Sequence, residues 1–123
     1  MTKKRVLVVD DMGSIRQVIS ALLKDSGYEC VQASGGALAL DLMKKTKFDL
    51  VLSDWNMPGM TGSEFVTAIR ATDRVMPVVM ITAEADRAKI LEMQAIGVNG
   101  YLLKPFKQQS LLTVLAKIFP EQA

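Results

Sequence analysis

The sequence of 123 residues contains no histidine and a single cysteine, Cys30. The lack of histidine excludes a Ser-His-Asp triad, a His-ligated zinc site and a phosphohistidine carried by this chain. One cysteine excludes an internal disulfide, and Cys30 lies between Glu29 and Val31 in an apolar, strand-type segment. We therefore expect a packed thiol rather than a reactive one. Any chemistry that needs an imidazole must use the histidine of a partner.

Strong net charge and long apolar runs are also lacking. Lys plus Arg number 15 and Asp plus Glu 13, which gives a net charge of +2, and the longest run of like charge is Lys3-Lys4-Arg5. No basic stripe for nucleic acid is present, and we expect this run to be a solvated terminus. The first apolar run, Val6–Val9, is too short for a signal peptide or a membrane span. We therefore expect a cytoplasmic protein without a nucleic-acid or membrane partner.

The sequence does contain a regular alternation of short apolar runs and helix-type patterns. Half of the residues are hydrophobic, and the length suits one domain over residues 1–123. The apolar runs predict five strands, at Arg5–Val9, Glu29–Ala33, within Phe48–Asp54, Val78–Ile81 and Gly100–Leu103. Strand–helix repeats with short connections predict an α/β fold, a doubly wound parallel sheet with helices on both faces.

The helices between these strands have signals at their ends and on their buried faces. Capping boxes predict two helix starts, at Ser14 with Gln17 and at Thr61 with Glu64. Left-handed helix ends are predicted at Gly27 and Gly97. The predicted buried residues are Ile15, Val18, Ile19, Leu22 and Leu23 in the first helix, Leu38, Leu42 and Met43 in the second, Phe65, Val66 and Ile69 in the third, and Leu111, Val114, Leu115, Ile118 and Phe119 in the last.

Polar groups follow the predicted strands at their carboxyl ends. They are Asp10, Asp11, Asp54, Thr82 and Lys104. In an open α/β sheet these strand ends share one edge, where ligands bind. Three clustered carboxylates repel one another, and a hard divalent cation with oxygen ligands, such as Mg²⁺, relieves the repulsion. The alternative is that these acids only cap helices and turns, which explains one such Asp more easily than three beside a lysine.

This set of groups suits phosphoryl transfer to the Asp54 carboxylate. With Mg²⁺ bound, Lys104 would neutralise phosphoryl oxygens and Thr82 would donate a hydrogen bond to one of them. Phosphoryl transfer needs little beyond positioning and charge stabilisation. The product would be an acyl phosphate that water later cleaves.

Four stretches of the chain combine these residues into motifs. They are Asp10-Asp11, DWNMPGMTG from Asp54, Thr82-Ala83-Glu84 and YLLKPF from Tyr101. Together they resemble the receiver domains of two-component response regulators over essentially the whole chain, and the second and third favour the single-domain chemotaxis branch. The resemblance implies a flavodoxin-like (βα)5 fold with strand order 2-1-3-4-5. It also implies a protein that takes a phosphoryl group from a sensor histidine kinase and controls a flagellar motor switch protein, with a phosphatase as a further partner. We expect a monomer, because nothing in the sequence demands a dimer. Such a protein catalyses its own phosphorylation and slow dephosphorylation and is not otherwise an enzyme.

The resemblance also implies roles for individual residues. These are Asp54 as phosphoacceptor, Asp10, Asp11, Asp54 and the backbone carbonyl of Asn56 as ligands of one Mg²⁺, Thr82 as switch hydroxyl, Lys104 as phosphate-facing ammonium, Tyr101 as an aromatic that changes rotamer, and Asn56 and Glu84 as residues that tune loss of the phosphoryl group. A cis Lys104–Pro105 bond is implied too, although only about 5–6% of X-Pro bonds are cis. The chain departs from the chemotaxis pattern at Gly59, at Thr61 and after Phe106.

The output surface is predicted on a helix from Asp86 to Ile96. Its apolar stripe predicts three buried residues, Ala88, Leu91 and Ala95. The outer face is then lined by Arg87, Ile90 and Gln94, with Tyr101 beside it, and the resemblance implies that this face binds a partner. Scattered exposed apolar residues are normal on protein surfaces, so position alone leaves the simpler alternative open.

Three competing functions have their own sequence requirements. An aspartate-nucleophile phosphatase needs a second acid two residues after the nucleophile, where this chain has Asn56, which transfers no proton. A flavin-binding module on the same fold needs a loop that cradles phosphate, and Asp10-Asp11 would repel phosphate there. Within the resemblance, a phosphorelay shuttle or a phosphate sink without motor binding remains open.

Overall fold

Five short apolar runs form the strands of a computed structural model that describes residues 3–120. The strands are β1 (Arg5–Val9), β2 (Glu29–Ala33), β3 (Leu50–Asp54), β4 (Val78–Thr82) and β5 (Gly100–Leu103). They pair in parallel in the order β2-β1-β3-β4-β5. The inner strands β1, β3 and β4 are almost entirely buried because helices cover both faces, which explains their unbroken apolar runs. The predicted doubly wound α/β sheet and its order 2-1-3-4-5 are confirmed.

The helices are distributed over the two faces of this sheet. They are α1 (Gly13–Asp25), α2 (Gly36–Lys45), α3 (Gly62–Thr72), α4 (Arg87–Ala95) and α5 (Gln108–Ile118). One core packs Ile19 and Leu23 of α1 with Leu111 and Leu115 of α5 against the sheet. The other core contains Ala39 of α2, Phe65, Val66 and Ile69 of α3 and Met93 of α4. Burial of each large side chain among these contributes roughly 1.5–3 kcal/mol, so the two cores hold the sheet edge that carries the polar groups.

Several predicted helix ends are confirmed. At the start of α3, the Glu64 N–H donates to Thr61 Oγ1 at 3.2 Å and the Thr61 N–H donates to Glu64 Oε1 at 3.0 Å, which is a complete capping box. The glycines after α1 and α4 are left-handed, with φ of 91° at Gly27 and 93° at Gly97. The Lys104–Pro105 bond is cis, as the resemblance implied.

The predicted capping box at Ser14 is wrong. The helix begins at Gly13, its N-cap residue is Met12, and no side chain among residues 3–120 caps it. The physical reason lies upstream, because Asp10 Oδ1 accepts the Met12 N–H at 2.9 Å and thereby turns the chain into the helix before Ser14. Ser14 is an exposed residue of the first turn.

Some predicted buried faces are also wrong. Val18 in α1 and Leu38 in α2 are 61% and 47% exposed, because the neighbouring elements cover only part of each apolar stripe. In α4 the prediction fails throughout: Leu91 is 53% exposed, and Ala88 and Ala95 are exposed as well. Met93 is the residue that α4 buries, at 2% exposure. The two faces of α4 differ little in polarity, so the fit of one long side chain into the core decides how the helix is rotated.

Candidate functional site

The parallel register brings the polar strand ends to one edge of the sheet. In the pairing of neighbouring strands, Val9 lies opposite Ser53, Asp54 opposite Ile81, and Thr82 opposite Leu103. The residues at or just after these ends, Asp10, Asp54, Thr82 and Lys104, therefore lie at one level. Asp10, Asp54 and Thr82 are 1%, 5% and 1% exposed. The site is a row of buried polar groups with one lysine at its margin.

Asp54 is held by two donors on the same oxygen. The Lys104 ammonium lies 3.2 Å from Asp54 Oδ1, and the backbone N–H of Asn56 donates to the same oxygen at a long 3.4 Å. The backbone of Lys104 is held beside β4, because its N–H donates to the Thr82 carbonyl at 2.7 Å. Within residues 3–120, Asp54 Oδ2 accepts no hydrogen bond, so one oxygen of this carboxylate is neutralised and the other is free.

Asp10 is a buried carboxylate with one oxygen that lacks a hydrogen-bond partner among the described residues. Its Oδ1 accepts the Met12 N–H, whereas Oδ2 is buried and has no hydrogen-bond partner among the described residues. The nearest cation, Lys104 Nζ, is 4.0 Å from Oδ2, which is beyond hydrogen-bond length. Burial raises the pKa of Asp10 above its ordinary value, and the nearby Asp54 and Asp11 charges add to the rise, against the opposing effects of the Met12 N–H and Lys104.

Three carboxylates at this edge could hold a metal ion. Asp10, Asp11 and Asp54 each offer an oxygen, and these oxygens lie within 4.8 Å of one another. Asp11 is exposed, so the group is open to solvent on one side. The buried, unpartnered Asp10 Oδ2 is the direct observation in favour of a cation, because a buried oxygen of this kind is otherwise left without compensation.

Thr82 lies at the predicted strand end, but its hydroxyl is engaged elsewhere. Thr82 Oγ1 donates to the Glu84 carbonyl at 2.9 Å and accepts the Glu84 N–H at 3.1 Å. The hydroxyl therefore closes a turn after β4. Two other predicted residues, Asn56 and Glu84, are exposed beside the site.

The predicted partner face is only partly exposed. Arg87 and Gln94 are exposed, Tyr101 is 39% exposed, and Ile90 is half-buried. Two further apolar residues are exposed on these elements, Leu91 at 53% on α4 and Leu103 at 49% on β5. The apolar stripe had placed Leu91 inside, so the sequence pattern held no signal for its exposure.

A contact beside the site was also missed. The Lys89 ammonium of α4 lies 5.3 Å from the centre of the Trp55 ring, which belongs to the residue after Asp54. Neither residue has a motif that predicts the pair, because the contact depends on the rotation of α4.

None of the helices found in residues 3–120 is long and apolar enough to cross a membrane.

Known proteins are similar to this chain in both sequence and structure. A family profile described as response regulator receiver domain matches residues 6–116. The chain is 44% identical over 118 residues to the chemotaxis protein CheY of Pseudomonas aeruginosa, which covers 94% of this chain and 95% of that protein. Its structure is similar to that of the chemotaxis protein CheY4 of Vibrio cholerae, with a TM-score of 0.92, 42% identity, and coverage of 96% of this chain and 100% of that one.

A second similar structure contains a metal ion. It is the receiver domain of the sensor histidine kinase PA1611 from P. aeruginosa, which has a magnesium ion coordinated in its active-site cleft. It has a TM-score of 0.85 and 29% identity, and covers 94% of this chain and 97% of that one. Because the receiver profile and the CheY relative each cover most of the sequence, the chain belongs to the response regulator receiver domain family, and within it is similar to the CheY chemotaxis proteins.

Proposed function

We propose that this protein is a phosphorylation-activated, single-domain response regulator. It takes a phosphoryl group from the phosphohistidine of a sensor histidine kinase onto Asp54 and signals through a protein-binding face to a flagellar motor switch protein. The observation that carries the proposal is the Asp54 carboxylate, which is buried, is paired with Lys104 on Oδ1 at 3.2 Å, and accepts no hydrogen bond on Oδ2 from the described part of the chain. This is a nucleophile with its negative charge partly compensated and one oxygen available.

In the transfer step, Asp54 Oδ2 attacks the phosphorus atom and forms the new P–O bond. The P–N bond of the phosphohistidine breaks, and the imidazole nitrogen leaves with the electron pair. Lys104 stays beside the developing acyl phosphate and stabilises its negative oxygens, which is the main form of catalysis in phosphoryl transfer. Since this chain has no histidine, the phosphohistidine belongs to the partner.

The proposed cofactor is one Mg²⁺. Asp10, Asp11, Asp54 and the backbone carbonyl of Asn56 would hold it, and their oxygens are the ligands that Mg²⁺ prefers. When bound, the ion supplies positive charge that neutralises phosphoryl oxygens. Asp10 Oδ2 supports this assignment, because it is buried and finds no hydrogen-bond partner within residues 3–120, and a cation would supply one.

The proposed switch uses Thr82 and Tyr101. A phosphoryl group on Asp54 draws the Thr82 hydroxyl away from the Glu84 backbone, and the 39%-exposed Tyr101 ring moves inward into the space that Thr82 leaves. A modification shifts such an equilibrium only by its different interaction with the two states. The proposed result is a rearranged face that includes Tyr101 and the α4 residues named next.

The proposed partner face consists of Arg87, Ile90, Gln94 and Tyr101. Its exposed members support a protein contact, and the neighbouring Leu91 and Leu103 extend its apolar area.

We further propose a cytoplasmic monomer that binds neither nucleic acid nor a membrane. Asn56 and Glu84 are proposed to tune loss of the phosphoryl group, alone or with a phosphatase. Because Asn56 transfers no proton, hydrolysis without that partner is expected to be slow.

The first experiment is incubation with acetyl phosphate and Mg²⁺, followed by intact-mass measurement. The wild-type protein and an Asp41→Asn control, which changes an exposed carboxylate on α2, are expected to gain one phosphoryl group. Asp54→Asn is expected to gain none. A phosphoryl group that persists in Asp54→Asn would show that another residue is the acceptor.

The second experiment tests the output. Purified flagellar motor switch protein is titrated with the wild-type protein in the presence and absence of a phosphoryl mimic. Tighter binding with the mimic supports motor control, whereas equal affinities contradict it. Phosphorylation without any motor-switch binding would instead favour a phosphorelay shuttle or a phosphate sink.

A further inference from the structure

The two ends of α4 are held very differently. Beyond its C-terminal end, the guanidinium of Arg70 donates to the Gly97 carbonyl from Nη2 at 2.8 Å and from Nε at 3.1 Å. Arg70 Nη2 also donates to Asn99 Oδ1 at 2.9 Å, and the same oxygen accepts the Val78 N–H at 2.8 Å. This network joins the end of α3, the loop after α4 and the start of β4. Together with the buried Met93, it makes the C-terminal half of α4 a fixed point.

The N-terminal half of α4 has few such contacts. Asp86 caps the helix by accepting the Lys89 N–H at 2.9 Å, which orders the first turn but joins it to no other element. In the second half of α4, Glu92 lines a cavity of about 480 Å³ together with Trp55 and the loop after β3. The Lys89 ammonium lies over the Trp55 ring, 5.3 Å from its centre, and 3.7 Å from Glu92 Oε1.

Trp55, which Lys89 contacts, is held in place by backbone hydrogen bonds and by burial. The Trp55 N–H donates to the Ile81 carbonyl at 2.8 Å, its carbonyl accepts the Gly62 N–H at 2.9 Å, and its side chain is 5% exposed. It also directly follows Asp54, the proposed phosphoacceptor. The Lys89–Trp55 contact therefore joins the loosely held half of α4 to the residue next to the site.

We propose that Lys89 is a latch, a positioning residue that holds the N-terminal half of α4 against Trp55 in the unphosphorylated protein. When this contact breaks, α4 pivots about its end near Arg70 and Gly97. The partner face that includes Arg87 then changes its position relative to the sheet. The latch thus sets how much of the protein adopts the output state before phosphorylation. This inference rests on the proposed function for its consequence, but the latch itself can be tested without it.

The expected effect is modest and measurable. Cation–π contacts at partly exposed sites correspond to a two- to five-fold change in an equilibrium constant. Lys89→Met keeps the apolar stem and removes the ammonium, so it is expected to raise the population of the unlatched state by that factor. Lys89→Arg keeps a cation that stacks on an indole and serves as the matched control.

The first test is amide hydrogen exchange measured by NMR in the unphosphorylated protein. In Lys89→Met, exchange of the Ile90 and Leu91 amides is expected to be two- to five-fold faster, while the Val98 amide, which donates to the Met93 carbonyl, is unchanged. Lys89→Arg is expected to match the wild type at all three. Equal exchange at Ile90 and Leu91 in Lys89→Met and wild type would overturn the latch.

The second test measures binding of beryllofluoride, a phosphoryl mimic, at fixed Mg²⁺ by ¹⁹F NMR. If the mimic binds the output state, a two- to five-fold larger population of that state lowers the apparent Kd of Lys89→Met by the same factor. Loss of a positive charge near the site would by itself weaken anion binding, so the two explanations predict opposite signs. Weaker or unchanged binding overturns the regulatory role of Lys89. If the wild-type protein also fails to bind beryllofluoride, the proposed function fails, and the exchange experiment alone decides on the latch.

Discussion

Replacement of Asp10 by Asn is expected to stabilise the protein when divalent cations are absent. Asp10 Oδ2 is buried without a hydrogen-bond partner, and a buried unsatisfied polar atom costs about 1–3 kcal/mol. Two side-chain charges close to it nearly cancel each other: attraction to Lys104 at 4.0 Å is about 4 kcal/mol at an effective dielectric constant of 20, and repulsion from an Asp54 oxygen within 4.8 Å is about 3.5 kcal/mol or more. Solvent screens the exposed Asp11. The cost of the buried, dehydrated Asp10 carboxylate therefore decides whether the substitution raises or lowers the stability of the protein.

The size of the effect follows from these terms. Asn keeps an oxygen that can accept the Met12 N–H and removes the buried charge. Its amide NH₂ takes the place of Oδ2, where an Asp54 carboxylate oxygen within 4.8 Å offers an acceptor. We expect a gain of about 1–2 kcal/mol in the free energy of unfolding, or about 4–8 °C in Tm for a chain of this length. With Mg²⁺ at about 100 times its Kd, the wild-type protein gains about 2.7 kcal/mol and the order reverses, because Asp10→Asn has lost one ligand.

The pH dependence gives an independent check of this reasoning. Burial raises the pKa of Asp10 in the folded state above the ordinary 3.8, so the folded protein binds this proton more tightly than the unfolded chain does. The contribution of Asp10 to stability is therefore present below pH 3.8 and is lost as the pH rises through the folded-state pKa. The difference in the free energy of unfolding between Asp10→Asn and the wild type should be smallest in acid and should increase as the pH rises through the folded-state pKa.

The assay is thermal unfolding followed by circular dichroism, with EDTA or with Mg²⁺, at several pH values. Asp41→Asn, an exposed carboxylate on α2, is expected to change stability by less than about 0.5 kcal/mol under every condition. A wild-type protein that is as stable as Asp10→Asn in EDTA at neutral pH would refute the argument that the unpartnered oxygen is costly.

Three further predictions concern stability in the same thermal assay. Thr61→Ala removes the side-chain half of the capping box and should cost about 1 kcal/mol, and no loss would mean that Glu64 caps α3 by itself. Gly62→Ala places a Cβ 2.7 Å from the Trp55 carbonyl oxygen, so we expect a loss of about 1–3 kcal/mol, and an unchanged Tm would show that the loop yields. Lys104→Met in EDTA should cost about 1–2 kcal/mol because two buried carboxylates lose their ammonium, and a more stable variant would contradict that pairing.

The fold could be predicted from the sequence wherever the pattern was set by local chemistry. The central strands are apolar along their whole length because both faces are covered, and their predicted bounds differ from the observed ones by no more than a residue or two. Thr61 with Glu64 and the two left-handed glycines marked helix ends by specific hydrogen bonds or backbone conformation. The strand order came from the family resemblance, because five apolar runs do not specify which edges pair.

The errors in the prediction arise where a single contact, local for α1 and tertiary for α4, overrides the sequence pattern. Asp10 takes the Met12 N–H and starts α1 early, although Ser14 and Gln17 have the spacing of a capping box. Met93 fixes the rotation of α4, although Leu91 fits the apolar stripe better.

For the site, strand ends predicted which side chains converge, because a parallel register aligns them. The sequence pattern could not predict that the Thr82 hydroxyl would be hydrogen-bonded to the Glu84 backbone, since that depends on the conformation of one loop. Nor could it predict the Lys89–Trp55 contact. Placement of the groups at one edge is a property of the topology, whereas their hydrogen-bonding state is a property of side-chain and loop packing.

The hydrogen bonds of Thr82 set the scale of the proposed switch. Its hydroxyl makes two bonds with the Glu84 backbone, each with a net value of about 0.5–1.5 kcal/mol, so movement toward a phosphoryl group gives up about 1–3 kcal/mol. A hydrogen bond to the charged phosphoryl oxygen returns about 1.5–3 kcal/mol. The two terms are comparable, so this exchange alone leaves both states populated. Because coupling between two sites is reciprocal, a partner that binds only the rearranged face must strengthen beryllofluoride binding at Asp54 by the same factor by which beryllofluoride strengthens partner binding.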